Sequence, residues 1–207
     1  MAKHFDPYDF IIRLDAQILG IEPVISRSLE LPRDLNFAQL HEVLQAAFGW
    51  TDSHLHQFIV GGLVIGAPEY LEEDADGPRV IEATEVHLRD LRFPYGRDAQ
   101  LEILYQYDFG DNWQHRLILT PMPQAEGVKY PRCIAGSRAC PPEDVGGDSG
   151  YESFLEAWLD PGHEEHADNR RWAGRKFDPE RFDLEATNRA IARALRLSGG
   201  DYRARQV

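Results

Sequence analysis

The chain has 207 residues, a net charge of −13 and 43% hydrophobic residues. This apolar content is enough for a core and excludes a wholly disordered protein, and no apolar run approaches the roughly 18 residues of a membrane span. The N-terminus has no basic start followed by an apolar run, so we expect no signal peptide. With two cysteines in such a chain, a disulfide scaffold is disfavoured and a cytoplasmic protein is expected.

Charge is distributed unevenly along the chain. Residues 170–207 carry ten basic and five acidic side chains, whereas the whole chain has 22 basic and 35 acidic residues. The acidic body disfavours binding to nucleic-acid phosphates or to an anionic membrane. We interpret the basic segment as a docked or solvated helix face, with nucleic-acid binding through residues 170–207 as the alternative.

Alternation of apolar and polar side chains predicts two strand hairpins in the first part of the chain. The first pairs residues 10–16 with residues 24–31, and Arg27 falls on the apolar face of its second strand. The second pairs residues 55–60 with residues 63–65 across a Gly-Gly turn.

Capping signals predict three helices. Asn36 and Gln39 form a capping box for a helix that lies between the hairpins and ends at Gly49. Ser149 is the predicted cap of a second helix. Asp178, followed by proline, is the predicted start of a C-terminal segment that leads into a helix over residues 184–197.

Two further strands are predicted at residues 100–107 and 113–119, and none is expected in the Pro- and Gly-rich stretch 121–150. Strands followed by helices predict an α+β fold with a mixed or largely antiparallel sheet. The chain has no internal repeat, so we expect one domain over residues 1–207. Its expected core spans about residues 8–198, with a flexible acidic loop at 66–78 and a flexible tail at 199–207.

The segment from Trp50 to Phe58 contains His54 and His56. If both lie in one strand, they point to the same face about 7 Å apart, a spacing found where two imidazoles bind one metal ion. The alternative is that both histidines satisfy hydrogen bonds at the turn between helix and strand.

The hairpin turn after Tyr107 contains Asp108 and Asp111, and Trp113 and His115 follow it. Aspartates in turns commonly accept hydrogen bonds from their own backbone, which is the structural interpretation. The functional interpretation groups these polar side chains at one end of the sheet, beside aromatic rings that exclude water.

Cys133 and Cys140 are seven positions apart, which does not match the short spacing of common zinc knuckles. They are interpreted as small buried apolar residues, with metal binding or a reactive thiol as alternatives. Pro141-Pro142 fixes an extended backbone that presents Glu143 and Asp144 as a rigid acidic pair.

These ordered segments resemble the plasmid ORF-3-like proteins, a family named after an open reading frame of a root-inducing plasmid. The motifs are LHEVLQAAFGW (40–50), DSHLHQF (52–58), YDFGD (107–111) and CPPEDVGG (140–147), and the resemblance runs from about Phe10 to Asn188. It implies an α+β fold and supplies no established catalytic residues. Some members carry the label of resolvase-like passengers of insertion elements, which implies an association with mobile elements.

Three hypotheses follow for function. The first is a non-enzymatic binding module whose loops at 50–56, 108–112 and 140–150 form one polar face, rimmed by aromatic residues, for a protein, peptide or small molecule. The second is a metal-dependent hydrolase holding a zinc-like divalent ion, and the third is a DNA-mobility accessory factor that uses the basic segment. The candidate residues are Trp50, His54, His56, Tyr107, Trp113 and His115 for ligand binding; Asp108, Asp111, Glu143 and Asp144 for catalysis; and His54, His56, His115, Cys133 and Cys140 for metal.

Overall fold

The computed structural model of the protein describes residues 10–71, 79–94, 99–174 and 176–198. The predicted tail 199–207 and residues 72–78 of the predicted acidic loop lie outside these ranges. Within them, no helix is long and apolar enough to cross a membrane.

Eight strands form one sheet in the order β5-β4-β3-β6-β7-β1-β2-β8. The strands are β1 (Phe10–Ile18), β2 (Ser26–Pro32), β3 (His56–Val60), β4 (Leu63–Gly66), β5 (Val80–Glu82), β6 (Leu101–Tyr107), β7 (Trp113–Pro123) and β8 (Arg132–Ser137). The helices are α1 (Phe37–Phe48), α2 (Pro68–Leu71), α3 (Gly147–Leu159), α4 (His166–Trp172) and α5 (Leu184–Ser198). Neighbouring strands are antiparallel except β4 and β5, which are parallel. The α+β prediction with a mixed, largely antiparallel sheet is confirmed.

Alternate residues of the central strands are buried, so one face of the sheet forms the core. In β6, Ile103, Tyr105 and Tyr107 are fully buried. Helix α1 packs on this face, and the rings of Phe37 and Phe58 lie 5.0 Å apart, edge to face. Helix α5 packs against both α1 and β8.

The capping box of α1 forms as the sequence predicts. The Asn36 side chain accepts a hydrogen bond from the Gln39 backbone at 2.8 Å, and the Gln39 side chain accepts one from the Asn36 backbone at 3.1 Å. Gly49 ends the helix with a φ of 99°, a conformation that glycine adopts without steric cost.

The expectation that strands end before residue 121 is wrong. Strand β7 continues to Pro123, and β8 pairs with β2 at an edge of the sheet. Cys133 is the one β8 residue that the structure buries, so this edge strand has no run of alternating apolar residues to identify it.

The predicted caps of the two later helices are wrong, although the last helix covers the predicted residues 184–197. Helix α3 begins at Gly147 after Gly146, two residues before Ser149, because this glycine stretch lies against the turn at Asp111. Helix α5 begins at Leu184, and Asp183 rather than Asp178 accepts the hydrogen bond from the Ala186 backbone, at 2.9 Å.

Candidate functional site

Three loops meet at one end of the sheet and form what we call the loop face: residues 50–56, 108–112 and 140–150. The sheet explains the first two, because His56 at the start of β3 is paired with Tyr107 at the end of β6, and Tyr107 is paired with Trp113 at the start of β7. The third loop connects β8 to α3 and crosses over to the other two.

Three hydrogen bonds, from Trp50 and Thr51, fix the third loop to the first. The Trp50 indole donates to the Pro141 carbonyl at 3.1 Å. The Thr51 backbone and hydroxyl donate to Glu143 Oε1 at 2.7 and 3.0 Å. The loop face is therefore assembled by contacts between segments that lie far apart in the sequence.

Glu143 also accepts a hydrogen bond from the Tyr107 hydroxyl, at 3.1 Å. That hydroxyl in turn accepts one from the Ser53 backbone at 3.1 Å. Burial, and secondly the neighbouring Glu143 carboxylate, raises the pKa of Tyr107, so the phenol stays protonated and can donate. These bonds assign Glu143 a role in holding the loops together.

His54, Asp108 and Asp144 converge beside this network, one from each loop. The His54 Nε2 atom lies 3.0 Å from Asp144 Oδ1 and 3.5 Å from Asp108 Oδ2. One ligand atom from each of the three residues lies within 4.8 Å of the others. Among the described residues, this buried Nε2 atom makes no hydrogen bond of acceptable geometry.

The backbone orients Asp108 toward His54. Its Oδ1 atom accepts hydrogen bonds from the Gly110 and Asp111 backbones at 2.9 and 3.2 Å, which leaves Oδ2 facing the imidazole. Both Asp108 and Asp144 have left-handed backbones, with φ of 55° and 57°. Asp108 is nearly buried and the Asp144 side chain is 71% exposed, so the cluster opens to solvent on one side.

These separations suit coordination of one metal ion. Two ligand atoms that each lie about 2.1 Å from an ion are about 3.0 Å apart at a right angle and about 3.4 Å apart in a tetrahedron. The distance from His54 to Asp144 is 3.0 Å, within this range, and that to Asp108 is 3.5 Å, just above it. The cluster would supply one imidazole nitrogen and two carboxylate oxygens.

A second cluster, fully buried, contains His41, Asp52 and His56. His41 Nε2 lies 2.7 Å from Asp52 Oδ1, and its Nδ1 lies 2.9 Å from the Tyr105 hydroxyl. Gln45 connects Tyr105 to Asp52. Its side chain donates a hydrogen bond to the Tyr105 hydroxyl at 3.1 Å and accepts one from the Asp52 backbone at 2.9 Å. Burial, and secondly His41, holds the pKa of His56 well below its ordinary value.

The geometry of this buried cluster disfavours a metal ion. The rings of His41 and His56 are stacked, with centroids 3.5 Å apart and planes at 5°. An imidazole binds a metal through a lone pair in the ring plane, and an ion shared by two stacked rings would lie outside both planes. Both His41 nitrogens are also engaged, so this cluster is a structural network that the sequence analysis did not identify.

The structure does not bring the three predicted metal-binding histidines together. His54 and His56 lie in different clusters, because β3 begins at His56 and His54 precedes the strand. His115 belongs to neither cluster; it is fully buried and packs edge-on against Phe48, with ring centroids 4.9 Å apart.

The predicted aromatic rim lies beneath the loop face rather than around it. Trp50, Tyr107 and Trp113 are buried, and the Trp50 ring lies 5.0 Å from Tyr107 and 6.0 Å from Trp113. These rings support the loops from below. Asp111 is engaged in the scaffold, since its Oδ2 accepts a hydrogen bond from the Gly146 backbone at 3.0 Å.

The two cysteines lie away from the histidine clusters. Both are free thiols, and Cys133 donates to the Ala135 carbonyl at 3.2 Å. Burial raises the pKa of both thiols, so they are protonated near neutral pH and poor nucleophiles.

Known proteins resemble this chain over most of its length. It is 37% identical over 182 residues to the uncharacterized protein y4hQ of Sinorhizobium fredii, covering 87% of this chain and 90% of that protein. It is 39% identical to the crystal structure of a protein of unknown function, MM3350 from Methanosarcina mazei Go1. That match has a TM-score of 0.74 and covers 87% of this chain and 98% of the other. The profile of the plasmid pRiA4b ORF-3-like proteins matches residues 10–186, and the chain belongs to this family.

Proposed function

We propose that the protein is a binding module whose loop face holds a divalent cation through His54, Asp108 and Asp144. The observation that carries this proposal is the convergence of His54 Nε2 and two carboxylate oxygens, within 4.8 Å of one another, where three separate loops meet. Among the described residues, this Nε2 atom makes no hydrogen bond of acceptable geometry. The hydrogen bonds of Thr51 and Glu143 hold the loops in place without a ligand, which lowers the entropic cost of binding.

The donor set indicates the kind of ion. Imidazole favours zinc and other transition metals, carboxylates favour harder ions such as manganese, and the cluster contains no sulfur. Zn²⁺ and Mn²⁺ are therefore the appropriate probes. Water or an atom of a partner molecule would complete the coordination on the exposed side, at Asp144.

The surroundings support binding more than hydrolysis. A metal-dependent hydrolase needs a base beside the metal-bound water, and Glu143 is the adjacent carboxylate. Three hydrogen bonds from Thr51 and Tyr107 converge on Glu143 Oε1, so this carboxylate serves to hold the loops together.

Calorimetric titration with Zn²⁺ and with Mn²⁺ tests the proposal on the full chain. We expect one ion per chain for at least one of the two metals. Asp108→Asn and His54→Ala should each weaken its binding by about tenfold to a hundredfold or more, because each removes one of three protein ligands. The matched control is Asp34→Asn, an exposed aspartate outside the cluster that pairs with Arg89 and should leave the affinity unchanged.

X-ray absorption on the loaded protein provides a second readout. The spectrum should show nitrogen and oxygen neighbours at about 2.0–2.2 Å and no sulfur at about 2.3 Å. Failure of both metals to bind at one site, equal affinities in all variants, or a sulfur neighbour would each contradict the assignment.

A further inference from the structure

Arg27 is a buried cation on the apolar face of β2. Its side chain is almost completely buried, and it donates to four backbone carbonyls: Ala47 at 2.7 Å, Ser26 at 2.7 Å, Ser137 at 2.9 Å and Arg138 at 3.0 Å. These bonds use four of its five N–H groups, because Nη2 donates one bond and has two hydrogens.

No carboxylate of the described chain pairs with Arg27. The neighbouring arginines of β8 and the loop after it both have such partners, since Arg132 pairs with Glu30 at 2.7 Å and Arg138 pairs with Glu180 at 2.7 Å. A buried charge without an opposite charge is costly, because the carbonyl dipoles replace only part of its hydration. Burial accordingly lowers the pKa of the Arg27 guanidinium from its ordinary value.

Aromatic rings cover the guanidinium on its faces. Its central carbon lies 4.7 Å from the centroid of Phe182 and 5.2 Å from that of Phe48. Phe182 reaches this position because Gly136 has no side chain; a Cβ there would lie 2.5 Å from the Phe182 ring. The remaining Nη2 hydrogen lies in the plane of the guanidinium and is the donor left for an anion.

Arg27 lines a pocket of about 500 Å³ between the end of α1, the loop at 139–143 and α5. The volume is in the range of small-molecule sites. Its walls are largely apolar and include four aromatic residues: Phe48, Trp50, Phe177 and Phe182. The exposed Lys176 and Arg181 add two further positive charges to the lining, and Arg181 pairs with Asp183 at 3.5 Å.

The carboxylates that line the pocket are engaged elsewhere. Glu143 accepts hydrogen bonds from Thr51 and Tyr107, and Asp183 accepts one from the Ala186 backbone at 2.9 Å. Asp178 accepts one from the Glu180 backbone at 3.1 Å. Among the described residues, none of these carboxylates pairs with the guanidinium, which lies beside a largely apolar, aromatic space.

We infer that this pocket binds a small aromatic carboxylate, with the ring between the aromatic walls and the carboxylate paired with Arg27. The carboxylate would accept a charge-assisted hydrogen bond from Nη2 and supply the counter-charge that the described residues do not provide. The inference rests on the contacts of Arg27 and not on the proposed cation site, although Glu143 lies beside both the pocket and that site.

A matched pair of probes separates the charge from the ring. Calorimetry and saturation-transfer NMR on the full chain compare 2-naphthoate with the neutral 2-naphthamide, in the presence of chelator so that no cation contributes. We expect naphthoate to bind about tenfold more tightly or better, because the amide cannot balance the Arg27 charge.

A matched pair of variants locates the site without disturbing Arg27. Ala190→Trp fills the pocket from α5 and should abolish naphthoate binding, whereas Ala192→Trp places the same side chain at an exposed position of the helix and should preserve it. Equal binding of the two probes, no binding of naphthoate, or undiminished binding to a folded Ala190→Trp variant would each overturn the inference.

Discussion

His115 links the folding of this protein to pH. Its side chain is fully buried, with Nδ1 3.3 Å from the Tyr105 carbonyl and the Trp50 ring 5.1 Å away. Its Nε2 atom has no hydrogen-bond partner among the described residues. Burial in these surroundings lowers the pKa of His115 to about 3 from an ordinary value of 6.5.

Below pH 6.5 the unfolded chain binds a proton at His115 that the folded chain excludes until about pH 3. The free energy of unfolding should therefore fall as the pH decreases through this window, with a contribution from His115 of about 1.4 kcal/mol per pH unit. Urea denaturation at pH 7 and pH 5 measures the effect.

His115→Leu should remove this contribution to the pH dependence. At pH 7 it should cost about 1 kcal/mol or less, because it removes one long hydrogen bond, from Nδ1 to the Tyr105 carbonyl, and replaces an Nε2 atom that has no partner among the described residues with apolar atoms. His163→Gln, at a histidine outside the core, is the control and should keep the wild-type slope. A His115→Leu variant as pH-sensitive as the wild type would refute the assignment.

At the scale of elements, Gly147 sets how closely α3 approaches the hairpin turn. Its φ is +71°, and a Cβ at this position would lie 2.6 Å from the Asp111 carbonyl oxygen. Gly147→Ala should therefore displace the loop at 140–150, destabilise the fold by about 1–3 kcal/mol and weaken cation binding at the loop face. Denaturant unfolding and metal titration of the same variant measure the two effects.

Gly127 provides the control, because its φ is +75° and no atom lies within 4 Å of its would-be Cβ. Gly127→Ala has the same backbone cost, about 1–2 kcal/mol, without the collision. Gly127→Ala should leave the cation affinity unchanged. If it lowered that affinity as much as Gly147→Ala does, the close contact of Gly147 with Asp111 would not be the cause.

Elements with a strong local signal could be predicted from the sequence. The helix after Asn36 and the hairpin around Gly61-Gly62 have periodic apolar residues and their own caps and turns, and both occur. Strand β8 could not be found, since its position depends on pairing with β2 rather than on a pattern of its own. The start of α3 likewise depends on a contact with the distant Asp111.

The candidate site was partly predictable for the same reason. The sequence identifies His54, Asp108 and Asp144 as polar residues in loops, but gives no reason to group these three and to separate His56. Strand register decides that separation: His56 opens β3 and points into the core, whereas His54 lies before the strand. Asp52 was not a candidate in the sequence analysis. It lies 11 residues after His41, and the end of α1 and the turn that follows bring the two side chains together.

At the scale of the molecule, the basic C-terminal segment is in part a structural element. Ile191 of α5 is buried in the core, and the Asn188 side chain both accepts from and donates to the Cys133 backbone, at 2.8 and 2.9 Å. Arg189 pairs with Glu185 on the same helix, at 3.6 Å. Truncation after Phe182 would remove these contacts, so a test of DNA binding requires charge substitutions in the full chain.

Two alanine substitutions on α5 measure how much its packing contributes to the free energy of unfolding. Ile191→Ala should lower the free energy of unfolding by roughly 2–5 kcal/mol, because it leaves a cavity in the core. Leu197→Ala, at a side chain that is 65% exposed, should change it by about 0.5 kcal/mol or less. Equal and small losses in chemical denaturation would indicate that α5 is not integral to the fold.

The loop at 140–150 borders both proposed sites. Glu143 lines the pocket beside Arg27, and the adjacent Asp144 faces His54. Thermodynamic linkage then imposes reciprocity: whatever factor an aromatic anion applies to the affinity for the cation, the cation applies to the affinity for the anion. Glu143, which Thr51 and Tyr107 hold in place, and its neighbour Asp144 would be the covalent link between the two sites. Titration of each ligand in the presence of the other would measure that common factor.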